Sequence, residues 1–84
     1  MREKLVILLR KIQDKSYGPE ILSSIINVQE TIARDIGVEE QEAMALLGYL
    51  LKHKYVKLDP TDGIIVSPKM DDETKYNFHL FMGD

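Results

Sequence analysis

The chain holds two histidines, His53 and His79, and no cysteine. Structural zinc sites take four ligands, so two distant imidazoles without thiolates predict no metal centre. The absence of Cys also excludes a disulfide framework. Asp59 and Asp62 flank Pro60 and lack the alternating carboxylates of a calcium loop. The run Asp71-Asp72-Glu73 reads as a helix start or a solvated loop. There is no Gly-rich phosphate loop. Ser16, Ser23, Ser24 and Ser67 have no histidine with an orienting acid near them in sequence. A chain of this length buries roughly 60–65% of its unfolded surface, enough for one core but not for a large enclosed cavity. The expectation is a protein that is not an enzyme, with no catalytic residue, no cofactor and no small-molecule substrate.

What remains is charge. The net value is −3, but it is unevenly spread. Residues 1–17 carry five basic and two acidic groups, and residues 18–49 carry one basic and six acidic. Residues 50–70 return to four lysines against two aspartates, and residues 71–84 carry one lysine and four acids. A partner feels such bands more than the mean. The second basic band holds Lys52, His53, Lys54, Lys57 and Lys69. Singly these are solvated lysines; together they can hold backbone phosphates without carrying sequence information. The acidic band holds Glu39, Glu40 and Glu42.

The elements that carry these groups can be read from periodicity. Leu5, Leu8, Leu9 and Ile12 make one apolar face of a first helix, which Val6 and Ile7 widen. Tyr17-Gly18-Pro19 stops it, with Gly18 suited to a left-handed cap. Pro19 to Ile26 reads as a brief helix, or Ser23 to Ile26 as a small strand. Asn27 and Glu30 have the spacing of a capping box, which starts a helix at Val28 that ends at Ile36 before Gly37. The next helix runs from Glu39 or Glu40 to His53, with Ala43, Leu47 and Leu50 inward and Leu46 nearby. Tyr55 to Leu58 and Ile64 to Ser67 read as two strands. They are joined by Asp59-Pro60-Thr61-Asp62-Gly63, in which Pro60 presets a turn, Asp62 caps it and Gly63 supplies positive φ. Residues 71–84 are either a short docked helix or a strand.

This order of elements resembles the winged helix-turn-helix superfamily. The resemblance rests on Thr31-Ile32-Ala33-Arg34-Asp35-Ile36-Gly37-Val38, then on Ala43, Leu47, Leu50 and Val56. It covers residues 28–67 well and the first helix loosely. It implies one α+β domain over residues 1–84: a small winged helix of three or four helices plus a two-stranded β wing, with the tail 71–84 docked on it. It also implies a nucleic-acid-binding regulatory protein, transcriptional in role, whose third helix lies in the major groove of double-stranded DNA while the wing touches the backbone. On that reading Lys52, Lys54, Lys57 and Lys69 hold phosphates. Gln41 reads bases, adenine being its preferred partner. A dimer is expected, because one small domain makes few contacts and two-fold operators reward pairing.

The chain departs from that pattern in three respects. The leading turn of the third helix carries Glu39, Glu40 and Glu42, which repel phosphate. In a first turn they also complement the helix dipole, for about 0.3–1 kcal/mol each. The outer face carries Met44, Ala45 and Gly48, with Leu46 and Leu51 nearby. Gly48 costs about 1 kcal/mol relative to Ala in a helix interior, which predicts a close approach there. The docked tail is expected to cover Leu46 and Leu51. Finally, family members often have Gly where this chain has Lys54. These departures define an alternative, a protein-interaction module on the same scaffold. In it Glu39, Glu40 and Glu42 meet a basic protein partner or mimic DNA charge, and Met44, Ala45 and Gly48 form the apolar centre. The longest apolar run, Leu5 to Leu9, falls short of the roughly 20 residues of a membrane span. The first residues lack the pattern of a secretory leader. A cytoplasmic location is expected.

Overall fold

A computed structural model describes residues 2–83. The elements are α1 (Arg2–Gln13), a 3-10 turn (Pro19–Ser23), α2 (Ile25–Ile36), α3 (Glu40–Lys52), β1 (Val56–Asp59), β2 (Gly63–Val66) and α4 (Asp72–Met82). The fold class is α+β, four helices and one antiparallel hairpin in a winged-helix-like layout. No helix among the described residues is long and apolar enough to cross a membrane.

The core follows the helical periodicity. Leu5, Leu8, Leu9 and Ile12 of α1 meet Val28, Ile32 and Ala33 of α2 and Ala43, Leu46, Leu47 and Leu50 of α3. Ala33 and Ala43 are both buried, and their small side chains allow the two helix backbones to approach. α1 touches α2, α3 and β2, and so holds the base of the hairpin to the helices. Val6 is half-covered, but Ile7 stays 45% exposed, so the widened face of α1 is not fully buried. It borders an open groove beside Phe81 and Met82.

Both α1 and α3 end in the same way, and neither end uses glycine. The Lys15 amide donates to the Ile12 carbonyl (3.1 Å) and the Ser16 amide to the Lys11 carbonyl (3.0 Å). The Lys54 amide donates to Leu51 (3.1 Å) and the Tyr55 amide to Leu50 (3.0 Å). Each pair of bonds is a Schellman motif whose left-handed residue is a lysine: φ is 59° at Lys15 and 63° at Lys54. Gly18, expected to be the left-handed cap of α1, is instead extended at φ −72°. Lys54 therefore fills the role that Gly plays elsewhere, with a side chain attached.

α2 begins three residues before the expected start. Ser24 is its cap, its Oγ accepting from the Asn27 amide at 3.0 Å. The Asn27–Glu30 capping box does not form, because the Asn27 side-chain amide is already engaged. It donates to the Glu20 and Ile21 carbonyls and to Ser23 Oγ. These bonds tie the 3-10 turn to α2, and Ser23 to Ile26 is not a strand. Gly37 ends α2 at φ 70°, as its position predicts.

The hairpin pairs Val56 with Val66 and Asp59 with Gly63. Its turn is held by Asp59, not by Asp62: Asp59 Oδ1 accepts from the Thr61 amide (2.8 Å) and the Asp62 amide (3.1 Å). Gly63 has φ 93°, and a side chain there would collide with the Tyr17 and Gly18 backbone. That close approach lets the Ile64 amide donate to the Tyr17 carbonyl at 3.0 Å.

The tail is a helix. Asp71 Oδ1 accepts from the Thr74 amide at 2.7 Å, and Gly83 closes the far end in the left-handed region. α4 buries Phe78 and Met82. Phe78 meets Tyr55 edge-on at 5.8 Å, and Phe81 lies 6.0 Å from Tyr55 and 6.4 Å from Tyr49. Arg2 donates to the Leu80 and Phe81 carbonyls and sits over the Phe81 ring. Leu46 is fully buried, and Leu51 is half-buried against the same core as Phe78 and Met82.

Candidate nucleic-acid interface

The outer stripe of α3 is short of side chain. Gln41, Ala45, Gly48 and Lys52 recur at helical spacing and are all exposed. Apart from its chain neighbours and the backbone of α3 itself, no described atom lies within 4 Å of where a Gly48 Cβ would stand. The close approach that Gly48 predicts is absent among the described residues, and the described part of α4 does not cover this stripe. Met44 is half-buried and leans on the core.

The leading turn is less acidic than its sequence. Lys4 Nζ of α1 lies 3.4 Å from both carboxylate oxygens of Glu42, with both side chains near 40% exposed. Glu42 therefore faces α1 and not a groove-bound ligand, and it leaves the outward acidic set. Glu39 and Glu40 remain exposed and make no ion pair among the described residues. Glu39 sits at the cap position with no side-chain bond to the helix.

The lysines gather at the opposite end. Lys54, Lys57 and Lys69 line one groove of about 280 Å³ between the end of α3, the hairpin and the start of α4. Leu51 and Val56 supply part of its lining, and Thr74 and Asp71 close it from the α4 side. Lys52 lies outside the groove, on the outer stripe of α3. Gln41 stands eleven residues before Lys52, about 16 Å along the helix.

Two carboxylates temper this basic end. Asp71 is held below the usual carboxylate range by the Thr74 amide, then by the Thr74 hydroxyl and the Lys54 charge. Asp59 is lowered by the Thr61 and Asp62 amides and by Lys57, whose Nζ lies 3.5 Å from it. Lys69 makes no ion pair among the described residues.

The chain matches no family model, no curated protein and no solved structure. Of the five expected nucleic-acid contacts, the fold brings three into one groove, leaves Lys52 exposed outside it in the last turn of α3 and leaves Gln41 a helix length away. Thr74 and Asp71 complete the groove, although sequence reasoning did not mark them. Asp71-x-x-Thr74 is a visible cap pattern, but its place beside Lys54 depends on how α4 docks. His53 is used in packing: its ring lies 4.3 Å from Tyr49 and stacks on Tyr55 at 5.9 Å.

Tyr17 is the one buried side chain among the described residues whose polar atom lacks a hydrogen-bond partner. Burial, and then the nearby Asp35 carboxylate, push its hydroxyl pKa well up. It sits beneath the hairpin as part of the scaffold, away from the lysine groove.

Proposed function

We propose that this chain is a winged-helix-type nucleic-acid-binding regulatory protein that grips double-stranded DNA mainly by its backbone. The observation that carries this reading is the convergence of Lys54, Lys57 and Lys69 in one groove, with Lys52 exposed near the end of α3 outside it. The bare stripe of Ala45 and Gly48 lets the α3 backbone lie deep against a groove wall, and Gln41 is its one reader of base edges. Such a surface holds DNA with little sequence preference.

Three to four phosphate contacts give a slope of log K against log salt of about −2.7 to −3.6. Raising salt from 50 to 200 mM then weakens binding roughly 40- to 150-fold. The test is a fluorescence-anisotropy titration of mixed-sequence duplex across that range. Lys54→Glu with Lys57→Glu is expected to abolish retention. No binding by the unaltered chain even at low salt refutes the proposal.

A second reading is favoured by one observation: Glu39 and Glu40 flank an exposed, uncovered patch at Ala45 and Gly48. In it the start of α3 docks on a basic protein. Glu39→Lys with Glu40→Lys separates the two, because Glu42 is already tied to Lys4. That double variant strengthens DNA binding on the first reading and abolishes partner capture on the second.

A further inference from the structure

Two hydroxyl-bearing residues, Ser67 and Thr74, line the lysine groove, and they differ in reach. Thr74 is half-buried near the start of α4, where its amide and its hydroxyl are both taken up by Asp71. Ser67 stands just past the end of β2. Its amide donates to the Tyr55 carbonyl at 2.9 Å, which carries the hairpin register one step beyond the Val56–Val66 pair. That bond fixes Ser67 across from the residue that follows Lys54. The Ser67 hydroxyl makes no hydrogen bond among the described residues. Pro68 and Lys69 follow it in an exposed turn. A serine directly before a proline, with a lysine next, is the pattern that proline-directed protein kinases accept. The proline also holds the serine in an extended conformation.

The surroundings suit a phosphoryl group once one is attached. Three ammonium groups line the groove against the carboxylate of Asp71, a net charge of +2. Asp71 is already turned to the Thr74 amide as the cap of α4. Asp59 is outside the lining, but it draws on Lys57 at 3.5 Å. Lys69 makes no ion pair among the described residues and is two positions from Ser67. A phosphoserine carries about −1.5 to −2 charge at pH 7 and three strong acceptor oxygens. One such group cancels the charge of the groove almost completely.

We propose that Ser67 is a phosphorylation site, and that Lys54, Lys57 and Lys69 of the same chain hold the phosphoryl group. The donor is ATP and the catalyst a proline-directed protein kinase. Ser67 Oγ bonds to the γ-phosphorus, the bond from that phosphorus to the β–γ bridging oxygen breaks, ADP leaves, and the hydroxyl proton passes to a base of the kinase. The groove is then closed to any other polyanion. The effect on DNA rests on the function proposed above, whereas capture of the phosphoryl group does not. On that function only the Lys52 contact survives, and the salt slope falls to about −0.9.

The test begins with the full 84-residue chain, a proline-directed serine kinase and ATP. Mass spectrometry should show one added phosphate, absent from Ser67→Ala. The phosphorylated chain is then titrated by phosphorus NMR. A phosphoserine has a second pKa of about 6, and the lysines should lower it by at least about half a unit. Lys57→Gln with Lys69→Gln, made by total synthesis with phosphoserine installed at position 67, should return it towards 6. Both lysines are exposed, and either single variant serves if the pair loses its helical circular dichroism spectrum. A chain that takes up no phosphate, or takes up as much after Ser67→Ala, overturns the proposal. So does a phosphoryl group that titrates at its ordinary value, or a lowered value that survives the lysine substitutions. Capture of the phosphoryl group by a chain that never retains DNA leaves this inference standing and removes only the nucleic-acid reading.

Discussion

Lys54 carries two properties that one substitution can separate. It occupies the left-handed cap of α3 at φ 63°, and its side chain lines the lysine groove. A left-handed non-glycine residue costs about 1–2 kcal/mol. Lys54→Gly removes that cost but returns about 0.4–1 kcal/mol through the greater freedom of glycine in the unfolded chain. From the middle of each range the net gain is about 0.8 kcal/mol, and for a domain of this size each kcal/mol moves Tm by about 4–8 °C. Thermal unfolding followed by circular dichroism should therefore show Tm rising by about 3–6 °C. If the proposed DNA grip is right, the same variant loses one phosphate contact. Its salt slope should shrink by about 0.9, with affinity down several-fold at low salt. Lys15→Gly is the control, because Lys15 has φ 59° and the same Schellman bonds but lines a different groove, near Asp62. It should gain the same stability and keep the full salt slope. If Lys54→Gly fails to raise Tm, the strain argument is wrong. If Tm rises and the slope is unchanged, Lys54 touches no phosphate.

The scaffold gives three further expected outcomes. Gly63→Ala forces a side chain into the Tyr17 and Gly18 backbone at φ 93° and strains the Ile64–Tyr17 bond. It should cost about 2–4 kcal/mol, and a Tm within 2 °C of the parent, a shift of roughly half a kcal/mol or less, would refute the close approach. Tyr17→Phe removes a buried hydroxyl that has no hydrogen-bond partner, so chemical denaturation should show stability unchanged or up to about 1 kcal/mol higher. A loss beyond about 1 kcal/mol would instead reveal a real bond to Asp35. Asp59 and Asp71 have folded pKa values below their ordinary ones. Their contribution is therefore present above about pH 4 and is lost as pH falls through the lowered folded values. Asp59→Asn with Asp71→Asn should flatten the acid limb of a stability-against-pH curve.

The apolar periodicity of α1 and α3, the glycine at the end of α2 and the hairpin were all legible, because burial and turn chemistry leave local marks. The start of α2 was not. Ser24 and Asn27 are both good caps, and the choice between them was made by the Glu20 and Ile21 carbonyls capturing the Asn27 amide. The left-handed lysines were hidden for a different reason. The cost of such a residue is small enough to be outweighed by the burial of a neighbouring tyrosine. Tyr55 packs against Phe78 directly after Lys54, and Tyr17 is buried two residues after Lys15. The tail allowed helix or strand until its two ends were considered, where Asp71 and Gly83 act as helix caps. The lysine groove was half legible. Its basic residues were plain, but their convergence depends on α4 closing one side. The pairing of Lys4 with Glu42 spans 38 positions and no local pattern announces it.

That pairing changes how the ends of α3 compete. With Glu42 paired to Lys4, two unpaired leading carboxylates remain among the described residues, Glu39 and Glu40, about 16 Å or more from the lysine end. At physiological ionic strength the screening length is about 8 Å, so each end of the helix acts almost alone. At 0.01 M salt it is about 30 Å, and the acids reach the whole length of α3. A phosphate chain laid along the helix is then attracted at one end and repelled at the other over the same range. The balance that decides between a nucleic acid and a basic protein is thus set less by the net charge of −3 than by how far these two ends are felt. The ion pair from α1 tilts that balance toward the lysines, because it removes one of the three leading carboxylates without adding a charge to the outer face.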